Sequence, residues 1–132
     1  MTNYNTGKEP LIYKELSYKL VGLAYEVNNA LGEGMREDIY KDAYAVLLDK
    51  EKIGYAREHY YPIKIRDSLF AKRFFDFLVD DKIIIEFKVG GKAYLNAYKQ
   101  LLEYLKVSKY KLGLIIRFTP DGVKVKRIAN IY

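Results

Sequence analysis

The sequence predicts a single α/β domain whose elements follow in the order α-α-β-β-β-α-β-β. Its 132 residues fit one domain, and half of them are hydrophobic, which is enough for one core. Apolar residues recur at helical spacing in three segments, whereas five shorter segments are apolar or alternating, as strands are. Turn-forming clusters of glycine, aspartate and proline separate these segments, and no internal repeat or long linker interrupts them.

Two helices are predicted before the first strand. The first covers residues 13–31, where apolar side chains recur at helical spacing, namely Leu16, Leu20, Leu23, Val27 and Leu31. After a hinge at Gly32-Glu-Gly34, the second helix covers residues 37–52 and is expected to bury Ile39, Ala43, Val46 and Leu47. Residues 1–10 are predicted to form a disordered tail, so the domain is expected to span residues 11–132.

Five strands and one more helix complete the predicted order. The strands are expected at residues 55–66, 70–79, 83–88, 112–118 and 123–128. The third helix is expected at residues 93–106, directly after the Gly90-Gly91 break. Because Pro62 cannot donate a hydrogen bond, the first strand is expected to be bent or at an edge of the sheet.

Composition excludes several classes of protein. The chain has no cysteine, so it holds no disulfide, thiolate metal site or iron–sulfur cluster, and its single histidine, His59, cannot build a zinc site of several imidazoles. No apolar run is long enough to cross a bilayer, and the N-terminus has no signal-peptide core. These observations predict a soluble cytoplasmic protein.

Charge is distributed unevenly along the chain. Residues 1–81 hold 12 lysines and arginines against 14 acidic residues, whereas residues 82–132 hold 11 against three. The first part therefore has a net charge of −2 and the second a net charge of +8, which together give the total of +6. A basic surface suits a polyanion such as nucleic acid, although a merely solvated basic face would look the same in the sequence.

Three charged residues stand where an apolar hairpin is predicted. Asp76 lies on one strand, and Glu86 and Lys88 lie two residues apart on the next, so the latter two project from one face. Two neighbouring carboxylates repel unless a cation lies between them, and Mg²⁺ or Mn²⁺ accepts such a pair together with water, phosphate oxygens and a backbone carbonyl, here that of Phe87. The alternative is a plain Glu86–Lys88 ion pair on a half-exposed strand.

The hairpin register decides whether the two carboxylates meet. A two-residue loop at Asp80-Asp81 would pair Asp76 with Ile85 and turn it away from Glu86. A three-residue loop over residues 80–82 pairs Asp76 with Glu86 instead, and this is the register we predict. Asp80 and Asp81 themselves are expected to be turn residues rather than ligands.

The spacing of these residues resembles the PD-(D/E)xK nuclease superfamily. Its motif is an Asp, a gap of about ten residues, and Glu/Asp-x-Lys on the adjacent strand, which Asp76, Glu86 and Lys88 match, with Phe75 in place of the proline. The resemblance implies a restriction-endonuclease-like domain with a mixed central sheet flanked by helices. It further implies phosphodiester hydrolysis of nucleic acid, DNA above all, by a magnesium- or manganese-dependent enzyme in which Lys88 assists the water. Related nucleases often form homodimers.

A closer resemblance is to the small GxxExxY proteins. The signature is matched by Gly34-Met-Arg-Glu37-Asp-Ile-Tyr40, and the stretch Gln100-Leu-Leu-Glu-Tyr104-Leu resembles their downstream helix. The resemblance implies that Glu37 is a further metal ligand and that Gln100 hydrogen-bonds a phosphate, a water or Lys88. Relatives often have a histidine just before the glutamine and an asparagine after the following strand, where this chain has Arg117.

Lysines on the third helix are a further candidate for nucleic-acid binding. Lys92, Lys99 and Lys106 recur every seven residues, so they form a basic stripe along one side of the helix. The stripe could follow a phosphate backbone or could be the solvent face of the helix. Two rival functions also stay open, namely an inactive nucleic-acid-binding module and a protein-interaction domain on the same fold.

Overall fold

A computed structural model describes residues 12–90 and 94–130 of the chain. The helices are α1 (Lys14–Leu31), α2 (Glu37–Lys50) and α3 (Tyr94–Val107). The strands are β1 (Tyr55–Ile65), β2 (Ser68–Val79), β3 (Ile83–Val89), β4 (Leu112–Thr119) and β5 (Gly122–Ala129). The predicted order of elements is confirmed. The predicted disordered tail at residues 1–10 lies outside the described residues.

The five strands form one mixed sheet. They are arranged in the order β1-β2-β3-β4-β5, in which β3 and β4 run parallel and every other neighbouring pair runs antiparallel. Parallel neighbours need a long crossover connection, and α3 supplies it between β3 and β4. None of the described helices is long and apolar enough to span a membrane.

Alternation along the central strands divides the core into two layers. Ile83, Ile85 and Phe87 of β3 pack with residues of α1 and α2 on one face of the sheet. Ile84, between them, packs on the other face with residues of α3 that include Leu101. Glu86 and Lys88 continue the Ile84 side of the strand, so the charged end of β3 points toward the layer of α3.

The buried face of α2 differs from the predicted one. Val46 was expected in the core but is 50% exposed, whereas Tyr40 and Tyr44 are fully buried. The helix is rotated by about one residue because the tyrosine rings are larger hydrophobic groups than the aliphatic residues beside them. Their hydroxyls stay hydrogen-bonded, Tyr40 donating to the Gly32 carbonyl at 2.7 Å and Tyr44 to the Leu20 carbonyl at 2.8 Å.

Two glycines have positions that a side chain would disturb. Gly34, in the hinge between α1 and α2, has a φ of 86°, a conformation that glycine adopts without strain. Gly113 of β4 lies directly beneath α3, and a Cβ placed there would be 2.8 Å from Cδ2 of Leu101. The close approach of α3 to the sheet therefore depends on the missing methyl group at position 113.

Candidate active site at the fork between β2 and β3

The β2–β3 turn sets the register that brings the two carboxylates together. Val79 pairs with Ile83, which confirms the predicted three-residue loop. Asp80 and Asp81 both have a φ of 52° in this turn, in the left-handed region that aspartate tolerates better than most residues. Continuing the same register places Asp76 opposite Glu86.

Beyond the pair Phe77–Ile85, side-chain carboxylates replace the backbone ladder between β2 and β3. The Asp76 N–H donates to Oε1 of Glu86 at 3.1 Å, and the Phe87 N–H donates to Oδ2 of Asp76 at 2.7 Å. Each strand thus gives a backbone donor to the carboxylate of the other strand. The two acidic side chains are fixed at this fork by bonds that a freely solvated carboxylate would not have.

Crowding of the two carboxyl groups changes the acidity of Glu86. Burial, the negative charge of Asp76 and a carboxyl–carboxyl hydrogen bond raise the pKa of Glu86 to about 8, and the Asp76 N–H and Lys88 oppose that rise. Asp76 is only 8% exposed, so little water screens the pair. A pair of this kind is short of positive charge, which favours a cation or a proton between its members.

A lysine of α2 supplies part of the missing charge. The Lys41 ammonium lies 3.0 Å from Oδ1 of Asp76, 3.7 Å from Oε2 of Glu37 and 3.9 Å from Oε2 of Glu58. Burial alone would lower the pKa of Lys41, but Asp76, Glu58 and Glu37 together raise it. Three carboxylates, one each from α2, β1 and β2, therefore surround the ammonium group of Lys41.

Glu58 of β1 lies opposite Asp76 in the register of β1 with β2, and its backbone is distorted. Its φ is 53°, and it is skipped in the β1–β2 ladder between the pairs Arg57–Phe77 and His59–Phe75. A left-handed glutamate inside a strand is strained and is held in place by its surroundings. Neither Lys41 nor Glu58 was among the site residues predicted from sequence, because neither belongs to a recognisable spacing pattern.

The predicted roles of Glu37, Lys88 and Gln100 differ in how much geometry supports them. Glu37 lies in the first turn of α2 and faces Asp76 across the Lys41 ammonium. Lys88 is half-buried beyond Glu86 and lowers its pKa electrostatically. Gln100 is exposed on α3, and its side chain makes no hydrogen bond to another residue of the described ranges, 12–90 and 94–130.

Tyr104, the other residue named in the motif that begins at Gln100, lies in the core and contributes to the packing of α3 on the sheet. It is buried on α3, and its hydroxyl lies 2.8 Å from Nε2 of His59 on β1. The ring also stacks on Phe75 with centroids 4.8 Å apart. His59 and Tyr104 thus join β1 to α3, as expected of a histidine with a structural role.

The predicted lysine stripe lies on the outer side of α3. Lys99 and Lys106 are exposed, and at 100° per residue they point away from the buried Ala97, Leu101 and Tyr104. Lys92 lies outside the described residues. Binding of nucleic acid by this stripe stays a prediction, and the side of α3 that carries it is not the side that faces Glu86.

The donor set suits a hard divalent cation that substrate and water would help to hold. Within the described part of the chain, no three His, Cys, Asp or Glu side chains converge as a complete metal site. Asp76 and Glu86 nevertheless offer adjacent carboxylates, and Mg²⁺ takes one or two carboxylates with waters and phosphate oxygens. The Lys41 ammonium shows that this cluster accepts a cation. The Phe87 carbonyl stays a predicted further ligand.

A mixed five-stranded sheet between α1–α2 and α3, with acidic residues on two adjacent central strands, defines a restriction-endonuclease-like protein. The sequence model of the PD-(D/E)XK nuclease superfamily matches residues 14–128, and the chain belongs to that superfamily. Its members generally use divalent metal ions and act on nucleic acid. The finer assignment to the GxxExxY proteins stays a prediction.

A solved structure supports the fold. The crystal structure of the protein SSO0001 matches with a TM-score of 0.55 and 23% sequence identity, over 89% of this chain and 57% of that one. This chain therefore spans little more than half the length of SSO0001, and the likeness carries the fold alone. No curated protein matches the chain.

Proposed function

We propose that this protein hydrolyses phosphodiester bonds of nucleic acid, with DNA as the principal substrate, in a reaction that depends on Mg²⁺ or Mn²⁺. The observation that carries the proposal is the pair of carboxylates at the β2–β3 fork, where the pKa of Glu86 is raised to about 8. Structural ion pairs usually balance their charges, whereas this pair has an excess of negative charge that a divalent ion would neutralise.

Asp76, Glu86 and the Phe87 carbonyl would hold the metal, which when bound lowers the pKa of a water and neutralises charge on the phosphate. The bond from the Phe87 N–H keeps the Asp76 carboxylate in a fixed orientation toward Glu86. Lys88, two residues beyond Glu86 on the same face, would orient the attacking water and stabilise the developing negative charge. Gln100 would contribute a hydrogen bond once substrate is present.

Lys41 has two roles that can be separated. In the metal-free protein its ammonium neutralises part of the charge of Asp76, Glu37 and Glu58. Recruitment of Glu37 as a ligand requires the ammonium to leave its place between the two carboxylates. Lys41 therefore competes with the divalent ion for the same oxygens, and it would return when the ion dissociates.

The test is hydrolysis of end-labelled single-stranded DNA, duplex DNA and RNA with Mg²⁺, Mn²⁺ or EDTA. Asp76→Asn preserves an oxygen acceptor for the Phe87 N–H but removes the charge, and Lys88→Met removes the ammonium. We expect each to lower the rate by about 100-fold or more. Asp67→Asn, in the exposed β1–β2 turn, is the matched control and is expected to be fully active. Equal rates for wild type and Asp76→Asn would contradict the proposal.

A second candidate function is nucleic-acid binding without hydrolysis. It is favoured by the Lys41 ammonium, which already occupies the space between Asp76 and Glu37. This candidate predicts binding that is equally tight with EDTA and with Mg²⁺, that survives Glu86→Gln, and that is never followed by cleavage. The same panel of substrates therefore distinguishes the two functions.

A further inference from the structure

Three cations form a row across the sheet beside the carboxylate fork. Lys88 of β3 pairs with Arg117 of β4, and Arg117 pairs with Lys124 of β5. Residues in register on neighbouring strands share a face, and neighbouring strands are roughly 4.8 Å apart. The row therefore begins next to Glu86 and leads away from it toward the β5 edge of the sheet, on the side that carries α3.

This row has no matching row of acidic residues. Among residues 12–90 and 94–130, no carboxylate lies within salt-bridge distance of Lys88, Arg117 or Lys124. Glu86 partly balances Lys88 through space, but the other two cations are one and two strands further away. Like charges directly opposite one another destabilise a sheet, so an anion bound along the row would relieve a cost that the protein otherwise bears.

Arg117 is held in place rather than free in solvent. Its guanidinium lies over the ring of Tyr94, 4.6 Å from the centroid, where the ring attracts the cation. Its Nε is buried without a hydrogen-bond partner among the described residues. A buried donor without an acceptor destabilises the protein.

We propose that Arg117 and Lys124 form a phosphate-binding site that holds the substrate strand on the β5 side of the catalytic carboxylates. The inference rests on the proposed function, because it treats the fork as the place of the scissile phosphate. Arg117 presents a planar set of donors that matches phosphate oxygens, and Lys124 adds a point charge one strand further on. Both are positioning residues on the face of the sheet that carries Glu86, whereas the lysine stripe of α3 lies on the outer side of that helix.

Binding in EDTA separates this site from hydrolysis. The probes are a fluorescein-labelled DNA duplex and its single strand, and fluorescence anisotropy gives the association constant at several salt concentrations. Each phosphate contact contributes about one to the slope of log affinity against log salt concentration, so Arg117→Gln and Lys124→Gln should each reduce the slope by about one. Lys50→Gln removes an exposed lysine of α2, in the helical layer across the sheet, and should leave the slope unchanged.

Neutral phosphates locate the contact. One phosphate at a time is replaced by a methylphosphonate, and the positions at which wild type loses affinity are the contacted phosphates, one of which is expected to be bound by Arg117. At that position Arg117→Gln should lose nothing further, because both changes remove the same interaction. Arg117→Lys restores the charge but not the planar donors, and should recover only part of the affinity. Melting of each variant shows whether the loss of the Tyr94 contact has changed the fold.

The outcomes distinguish this site from the function on which it rests. If wild type binds and cleaves DNA while Arg117→Gln keeps the full slope and the full sensitivity to every methylphosphonate, the phosphate site is wrong and the nuclease stands. If wild type binds neither the duplex nor the single strand and cleaves neither, the proposed function fails and the phosphate site with it. A slope lowered by Arg117→Gln and not by Lys50→Gln supports the site.

Discussion

Two polar pairs connect the elements of this domain, and they differ in charge. At the β2–β3 fork, Asp76 and Glu86 place two acids beside each other, with Lys41 as a partial counter-charge. Between β1 and α3, His59 and Tyr104 share one hydrogen bond. The first pair gains stability from added positive charge, whereas the second needs no charge at all.

Acid–base properties show what each pair is suited for. Burial lowers the pKa of His59, against the opposing charge of Asp81, and burial is the main reason that the pKa of Tyr104 is raised. Both groups are therefore neutral near pH 7, and one of them donates the hydrogen bond that the other accepts. Burial also raises the pKa of Glu86, and the negative charge of the neighbouring Asp76 raises it further. His59 and Tyr104 therefore stabilise the fold, whereas Asp76 and Glu86 are held in an unfavourable state that a bound cation can relieve.

The largest expected effect is a gain in stability from Glu86→Gln in EDTA. The pKa of Glu86 is about 8 in the folded protein, above its usual value of 4.5, so its contribution to stability is complete below pH 4.5 and is lost as the pH rises through 8. One pKa unit corresponds to about 1.4 kcal/mol, so at pH 9 the variant should exceed wild type by several kcal/mol. Urea unfolding at pH 5 and pH 9 measures this, with the exposed Glu26→Gln as control. A variant no more stable than wild type at pH 9 would remove the tension ascribed to the fork.

A smaller effect of opposite sign is expected for Lys41→Gln. Loss of the ammonium leaves three carboxylates without their shared cation and should destabilise the metal-free protein by about 1–3 kcal/mol. Mg²⁺ or Mn²⁺ should restore stability to Lys41→Gln more than to wild type, because the competing cation is gone. Melting with and without metal tests this, and Lys19→Gln, which breaks an exposed ion pair to Glu51, is the control. Equal gains from metal in wild type and Lys41→Gln would show that Lys41 does not compete for the site.

The smallest effect is expected at the neutral pair. Tyr104→Phe removes the hydroxyl that contacts His59 and should cost about 1 kcal/mol at pH 7.5, with no response to metal. Because the folded pKa of His59 is below 6.5, its contribution to stability is complete above pH 6.5 and is lost as the pH falls through the folded value. Urea unfolding between pH 4.5 and 7.5 measures both effects, with the exposed Tyr25→Phe as control. Metal-dependent stability of Tyr104→Phe that differs from wild type would link the two pairs.

The sequence was most informative where spacing along the chain determines geometry. The lengths of the strands and the three-residue loop at 80–82 suffice to place Asp76 opposite Glu86, because pairing in a hairpin is a local property. Lys41 could not be found in this way. It is an ordinary helical lysine 35 residues from Asp76, and only tertiary packing brings α2 over the fork.

Other features were visible in the sequence but their meaning was not. The spacing of the aliphatic residues predicted a buried face of α2 that is displaced by one residue from the observed face, which Tyr40 and Tyr44 fill with hydrogen-bonded hydroxyls. Arg117 stood out only as a departure from the residue usual in relatives. Its register with Lys88 and Lys124 depends on β4 lying between β3 and β5, which sheet order determines and local sequence does not.

Gly113 makes the spacing between the sheet and α3 a property of two positions rather than one. A methyl group there would meet Leu101 at 2.8 Å and lift the helix, whose first residue, Tyr94, supports the Arg117 guanidinium. Alanine at position 113 alone should therefore weaken the contact between Tyr94 and Arg117, and a smaller side chain at position 101 should restore it. The two positions are expected to change together in evolution, and exchanging them as a pair would alter the spacing between α3 and the sheet without changing Arg117 or Tyr94.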